Sequence, residues 1–482
     1  MVRKRLVWLL VLAMLFFSLG GAVVAASNDY VNHWATEQID LWVRQGLLKG
    51  YDDGSFRPDS SITRAEFFAV INRIFAFQDA VSINFKDVAA DAWYADVISK
   101  AVAAGYVSGY EDGTVRPNNP ITRQEAAKVI AEAFKYKGVE HGKRFTDADK
   151  IGSWARNYIN VMTNKGVITG YPDGSFGPTR NLTRAETVVM LGRVAGDIYN
   201  EAGAFSKDAH GNVVVNTPGV TLEQMTIHGD LFLAEGIGEG EVVLDNVRVL
   251  GSTFVRGGGS GTIVLRNSEL GNLAIQKKDG NVRVLATGNT KVSNATVETG
   301  GKLETQELSD SNAGFQTVTI PEEAAGDNRI VLEGNFGDVV IEAPGMVVEI
   351  AHGTNVGIIY VDVNTTVVMG EGANVQVIQV SSSVTNLILE GNGTVKTLET
   401  ANKDIVKTAD SVKVEKVVTK PEESSSGGSD SGGGTGGTGT GPGEEQKIQI
   451  SAISVEGVAK VGETLTADPH GATVTYKWMK SD

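Results

Sequence analysis

The chain has no cysteine among its 482 residues, so no disulfide can brace it and its cores must carry its stability, as its length permits. It also lacks a basic excess: 58 acidic side chains face 43 basic ones, a net charge of -15. Without a basic field to gather phosphates, nucleic acid is not expected as a partner, and an anionic ligand would have to be caught at short range by a few placed cations. Beyond the opening residues no apolar run approaches the roughly 20 residues that a membrane-spanning helix needs. The Asp-Gly pairs at Asp53-Gly54, Asp112-Gly113 and Asp173-Gly174 lack the spaced carboxylates of a calcium loop, so they read as turns; no metal and no cofactor is expected.

The opening is that of an export signal. Arg3, Lys4 and Arg5 precede an apolar run from Leu6 to Leu19, and Val24-Ala25-Ala26 offers a small-residue cleavage site before Ser27. Residues 1–26 are therefore read as a signal peptide, which places the mature protein outside the cytoplasm with no membrane attachment after cleavage.

What the next part of the chain does have is a block repeated three times. Trp34, Trp93 and Trp154 each lead to a Gly-Tyr (Gly50-Tyr51, Gly109-Tyr110, Gly170-Tyr171), an Asp-Gly, a Pro, and finally Thr-Arg-x-Glu (Thr63 to Glu66, Thr122 to Glu125, Thr183 to Glu186). The intervals are 59 and 61 residues for Trp and for Arg alike. A repeat this regular sets the architecture of the segment. Each copy reads as helix, loop, helix. Gly46, Gly105 and Gly166 stop the first helix, and Thr with Glu three residues on forms a capping box for the second. Val70, Ile71, Ile74 and Phe75 recur as Val129, Ile130, Ala133 and Phe134, then as Met190, Leu191, Val194 and Ala195. Those stripes are core, and three such helices can bury them in a bundle with pseudo-three-fold symmetry.

Arg64, Arg123 and Arg184 occupy the first helical position, where the helix end disfavours a cation by a few tenths to about 1 kcal/mol. Helix formation does not ask for Arg there. Free amide groups, a positive helix end and a guanidinium together suit a carboxylate or phosphate, and an exposed Trp offers a face for a sugar ring. The competing reading pairs each Arg with a neighbouring carboxylate and packs each Trp into the core.

These motifs resemble the S-layer homology domain, found in three copies in surface proteins of Gram-positive-type bacteria. The resemblance runs from Ser27 to Asn200. It implies a pseudo-trimeric bundle whose inter-repeat grooves bind peptidoglycan-linked secondary cell wall polysaccharide carrying a pyruvylated amino sugar. By position it implicates Arg64, Arg123 and Arg184 at the acidic ketal, Gly50, Gly109 and Gly170 near the sugar, and Trp34, Trp93 and Trp154 near the groove. It also implies self-association in a surface layer. Gln124 in place of Ala, beside the binding Arg, departs from the pattern and bears on the second groove; Val115 for Phe and Leu182 for Ile are core changes.

From Phe205 the composition turns to short alternating runs of Val, Ile, Leu, Thr, Gly and Asn. Val242 to Asn246 is echoed by Ile263 to Asn267 after 21 residues, and Asn335, Asn355, Asn374 and Gly391-Asn392 recur at slightly shorter steps. A period near 20 indicates a β-solenoid, resembling a parallel β-helix, with a β-sandwich as the alternative. Residues 421 to 443 are nearly all Ser, Gly, Thr, Asp and Glu, a flexible linker. The last 35 residues are similar to the start of a bacterial immunoglobulin-like repeat. The organisation expected is a signal peptide (1–26), helical repeats at 27–87, 88–146 and 147–204, a solenoid at 205–416, a linker at 417–447 and an incomplete immunoglobulin-like segment at 448–482. The functional expectation is a non-enzymatic, secreted cell-surface protein anchored to the wall, the solenoid serving as spacer or display region. Two alternatives stand beside it: a wall-anchored polysaccharide lyase or glycosidase with its active site on the solenoid, and an adhesin. Asp230, Asp245, Asp338 and Asp362 show no recurring offset that would pair them for catalysis.

Overall fold

The computed structural model describes residues 29–259, 263–280, 282–324 and 329–419, with two short strands at Thr466–Ala467 and Val474–Thr475 that pair antiparallel. The signal peptide, nearly all of the linker and, apart from those two strands, the immunoglobulin-like segment lie outside the described residues.

Six helices build the first part: α1 (Thr36–Arg44), α2 (Arg64–Phe75), α3 (Ala95–Ala103), α4 (Arg123–Ala133), α5 (Arg156–Asn164) and α6 (Arg184–Ala195). Three of them, α2, α4 and α6, begin with complete capping boxes, Thr accepting from the Glu amide and the Glu carboxylate reaching back to the Thr amide. Gly46, Gly105 and Gly166 adopt positive φ just past α1, α3 and α5, as their place in the sequence predicts. The apolar stripes of α2, α4 and α6 are buried in one core.

What closes the bundle is a ring of backbone hydrogen bonds. The residue before each capping Thr donates to its counterpart in another repeat: Ile62 N to Leu182 O (3.0 Å), Leu182 N to Ile121 O (3.0 Å) and Ile121 N to Ile62 O (3.1 Å). Each repeat thus satisfies its neighbour, and a single copy would leave these buried groups unpaired.

The second part is a parallel β-solenoid of about eleven turns, with strands in two long sheets of thirteen and eleven strands. The register confirms the repeats read from sequence: Val242 pairs with Ile263, and Asn335, Asn355 and Asn374 stack in one column. Thr394, not Asn392, continues that column. Inward positions such as Phe315, Phe336, Val356 and Val375 fill the core between the sheets. The ladder starts before residue 205: Asp197–Tyr199 pairs with Val213–Val215 immediately after α6.

Solenoid and bundle meet over the C-termini of the three inner helices, where carbonyls lack intrahelical partners. Asn216 Nδ2 donates to Arg73 O (3.1 Å) and Ile74 O (2.8 Å) at the end of α2. Arg256 donates to Ala133 O (2.9 Å) and Phe134 O (2.8 Å) at the end of α4, and Asn212 Nδ2 to Val194 O (2.7 Å) on α6. Phe232, from the solenoid, packs among Phe75, Phe134 and Phe254 with ring centroids 5.0 to 6.3 Å apart. Three caps from one partner join the two parts through buried polar as well as apolar contacts.

Candidate functional site in the seams between repeats

Each Thr-Arg-x-Glu segment locks into the loop of the next repeat in a cyclic order. Arg64 N donates to Asn119 O (2.9 Å) and Ala65 N to Pro117 O (2.9 Å); Arg123 N donates to Arg180 O (2.9 Å) and Gln124 N to Pro178 O (3.1 Å). From the third repeat, Arg184 N reaches Ser60 O (2.9 Å) and Ala185 N reaches Pro58 O (3.0 Å). The helix-start amides that the sequence offered to an anion are therefore already occupied by a neighbour's carbonyls. This corrects the expectation of a free helix-terminus anion site, and the physical reason is that a buried amide takes the nearest acceptor.

The guanidinium groups follow the same route. Arg64 Nε donates to Val115 O (2.9 Å), Arg123 Nε to Phe176 O (2.8 Å) and Arg184 Nε to Phe56 O (2.8 Å). Arg64 and Arg184 also pair with a carboxylate of the next repeat, Glu125 at 3.2 Å and Glu66 at 3.3 Å. Arg123 makes no ion pair among the described residues. The three residues are only 7%, 7% and 2% exposed. They lie nearly sealed at the seam floors and do not project into open space as the sequence suggested. An Arg at a helix start is tolerated because its charge is used across the seam.

Above each Arg sits a Tyr, in cation–π contact with two guanidinium groups: Tyr51 with Arg184 (4.6 Å) and Arg57 (4.3 Å), Tyr110 with Arg64 (5.0 Å) and Arg116 (3.9 Å), and Tyr171 with Arg123 (4.7 Å) and Arg180 (4.4 Å). The Tyr hydroxyl donates to the capping Glu in every copy: Tyr51 to Glu66 (3.0 Å), Tyr110 to Glu125, and Tyr171 to Glu186 (3.3 Å). Burial, then the bond to Glu125, pushes Tyr110 up to about 12. Burial by itself would raise Glu125, but hydrogen bonds from Tyr110 and Thr122 and the charge of Arg64 outweigh it and hold the carboxyl below its usual value. Desolvation holds Arg123 below the ordinary guanidinium value. Tyr51, Tyr110 and Tyr171, with Arg57, Arg116 and Arg180, were not singled out from sequence. Their signal was present in the repeated Gly-Tyr, and in an Arg before Pro in two copies that Arg180 replaces in the third.

The indoles contrast with this sealed layer. Trp34, Trp93 and Trp154 are 64%, 60% and 47% exposed, so they are not core residues, whereas Trp42 is buried. Trp154 and Arg64 line one groove of about 640 Å³ together with Gly109, Tyr110, Glu125 and Lys128. Gly109 and Gly170 hold positive φ, and a Cβ at either would collide with the ring of Phe85 or Phe145. A Cβ at Gly50 would press on Ser55 O at 2.9 Å. These glycines are fixed by their turns, and Gly109 leaves the backbone bare at the edge of that groove.

The three seams thus repeat one arrangement, a Tyr ring over two guanidinium groups with its hydroxyl on the capping Glu. Residues 28–68, 84–127 and 144–188 match the S-layer homology domain, and the chain carries three copies of it. Over 182 residues it is 31% identical to the surface-layer 125 kDa protein of Lysinibacillus sphaericus, covering 37% of this chain and 16% of that protein. It is 36% identical over 158 residues to a cellulosome-anchoring protein of Acetivibrio thermocellus, covering 30% and 35%, and 34% identical over 171 residues to an amylopullulanase of Thermoanaerobacterium thermosulfurigenes, covering 34% and 9%. The chain thus spans a minor part of the length of these relatives. Its domains make it a secreted cell-surface protein. Among the described residues no helix is long and apolar enough to cross a membrane.

Proposed function

We propose that this chain holds an exported protein on the cell wall without a covalent bond, its three seams binding peptidoglycan-linked secondary cell wall polysaccharide that carries a pyruvylated sugar. The observation that carries this reading is the exposure of Trp34, Trp93 and Trp154 at equivalent places, each a large apolar face that folding leaves uncovered. Arg64, Arg123 and Arg184 form the groove floors and Gly50, Gly109 and Gly170 the bare edges. Three grooves on one scaffold raise retention on a repetitive polymer through effective concentration. A relative named as a cellulosome-anchoring protein and another named as a surface-layer protein fit this role.

The solenoid serves as a spacer or display region, without catalysis of its own. Two of the candidate carboxylates are held in ion pairs, Asp230 with Lys165 (2.8 Å), beside a hydrogen bond from Tyr136 (2.9 Å), and Asp245 with Arg266 (3.0 Å), and Asp338 accepts a hydrogen bond from the Ile358 backbone. Cosedimentation of the full chain with isolated walls tests the anchoring role. Binding is expected to native walls and to be lost once the secondary polysaccharide is extracted; equal binding to extracted walls would contradict it.

A further inference from the structure

The three seams are not chemically equal. In the groove lined by Arg64 and Trp154, Arg64 is paired with Glu125 (3.2 Å) and Arg116 with Asp112 (2.9 Å). The remaining cation on its lining, Lys128, makes no ion pair or hydrogen bond among the described residues. Its ammonium lies 6.0 Å from the ring centre of Trp154 and 5.8 Å from that of Tyr158. The corresponding positions on the other two inner helices are Ala69 and Val189, which carry no charge. One turn earlier, Gln124 accepts a hydrogen bond from Gly152 N (3.1 Å), tethering the segment that carries Trp154; its counterparts Ala65 and Ala185 have no such group. A Cβ at Gly152 would strike the Trp154 indole, so the ring lies directly against that tethered backbone. Two polar departures on one face of α4 therefore converge on one indole.

Resting on the wall-binding reading, we propose that in the groove lined by Arg64 and Trp154 it is Lys128 that contacts the sugar's carboxylate and Gln124 that positions Trp154 against the sugar face. One unpaired cation matches one negative charge. A dianionic phosphate would meet that single cation while facing Glu111, Asp112 and Glu125 on the same lining.

The test compares the full chain with Lys128→Gln, Lys128→Arg and Gln124→Ala for binding to solubilised wall polysaccharide, native or with its carboxylates converted to neutral amides. On native polymer, Lys128→Gln is expected to bind at least fivefold more weakly with an unchanged melting temperature. Lys128→Arg should stay within twofold, and Gln124→Ala should bind more weakly. On amidated polymer, wild type and Lys128→Gln should bind alike. Equal binding of wild type and Lys128→Gln to native polymer would overturn the proposal, and a difference that survives amidation would replace the carboxylate with a phosphate. Failure of the wild-type chain to bind native polymer would instead remove the wall-binding reading on which the proposal rests.

Discussion

Arg64 and Trp93 belong to the same repeated motif yet have opposite roles. The Arg is nearly sealed and joins two repeats, so Arg64→Ala leaves Glu125 without its cation and is expected to cost about 3 kcal/mol of stability. Urea unfolding of the variant checks that figure. Because all three Arg residues are buried, loss of binding in their Ala variants would not by itself identify a ligand contact. Trp93 is largely exposed, so Trp93→Ala should change stability by no more than about 0.5 kcal/mol while reducing retention on walls. The Thr-Arg-x-Glu motif was legible as a capping box because capping is local. The second partner of Glu66 and Glu125, an Arg from another repeat, was not, because nothing in one copy says which copy packs beside it.

Helices and strands were more readable than their contacts. Thr with Glu three residues on fixed the starts of α2, α4 and α6, and Thr122→Ala should cost about 1 kcal/mol in thermal unfolding. The solenoid columns were visible in Val242 with Ile263 and in the stacked Asn residues, since parallel coils repeat chemistry at a fixed step. The helix ends were hidden. Asn212, Asn216 and Arg256 lie in β-rich sequence, and only the fold brings them to the carbonyls of α6, α2 and α4. Arg256→Met removes donors from two buried carbonyls and is expected to destabilise the chain by about 2 to 3 kcal/mol in denaturant unfolding. Within the solenoid, hydrogen bonds from Arg283 and Lys302 outweigh burial and pull Glu304 from its usual 4.5 down to about 2. Its stabilising effect is present above pH 4.5 and fades as the pH falls from there toward 2. Melting temperatures between pH 6 and 3 should therefore decline less steeply for Glu304→Gln than for the wild-type chain.

Bundle and solenoid, seen together, share buried polar and aromatic contacts, so the anchor and the rod above it are expected to unfold in one transition. Circular dichroism followed at helix and strand wavelengths should give coincident melting curves, and Arg256→Met should separate them. Coupling of this kind would pass load from the displayed part of the protein to the wall-facing seams without a flexible joint. The account as a whole depends on sugar covering the three exposed indoles. Acrylamide quenching of tryptophan fluorescence, measured on the full chain with and without solubilised wall polysaccharide, tests this directly. Bound polymer should protect a substantial part of the emission, and the protection should vanish when Trp34, Trp93 and Trp154 are all replaced by Phe. Unchanged quenching with polymer demonstrably bound would contradict it.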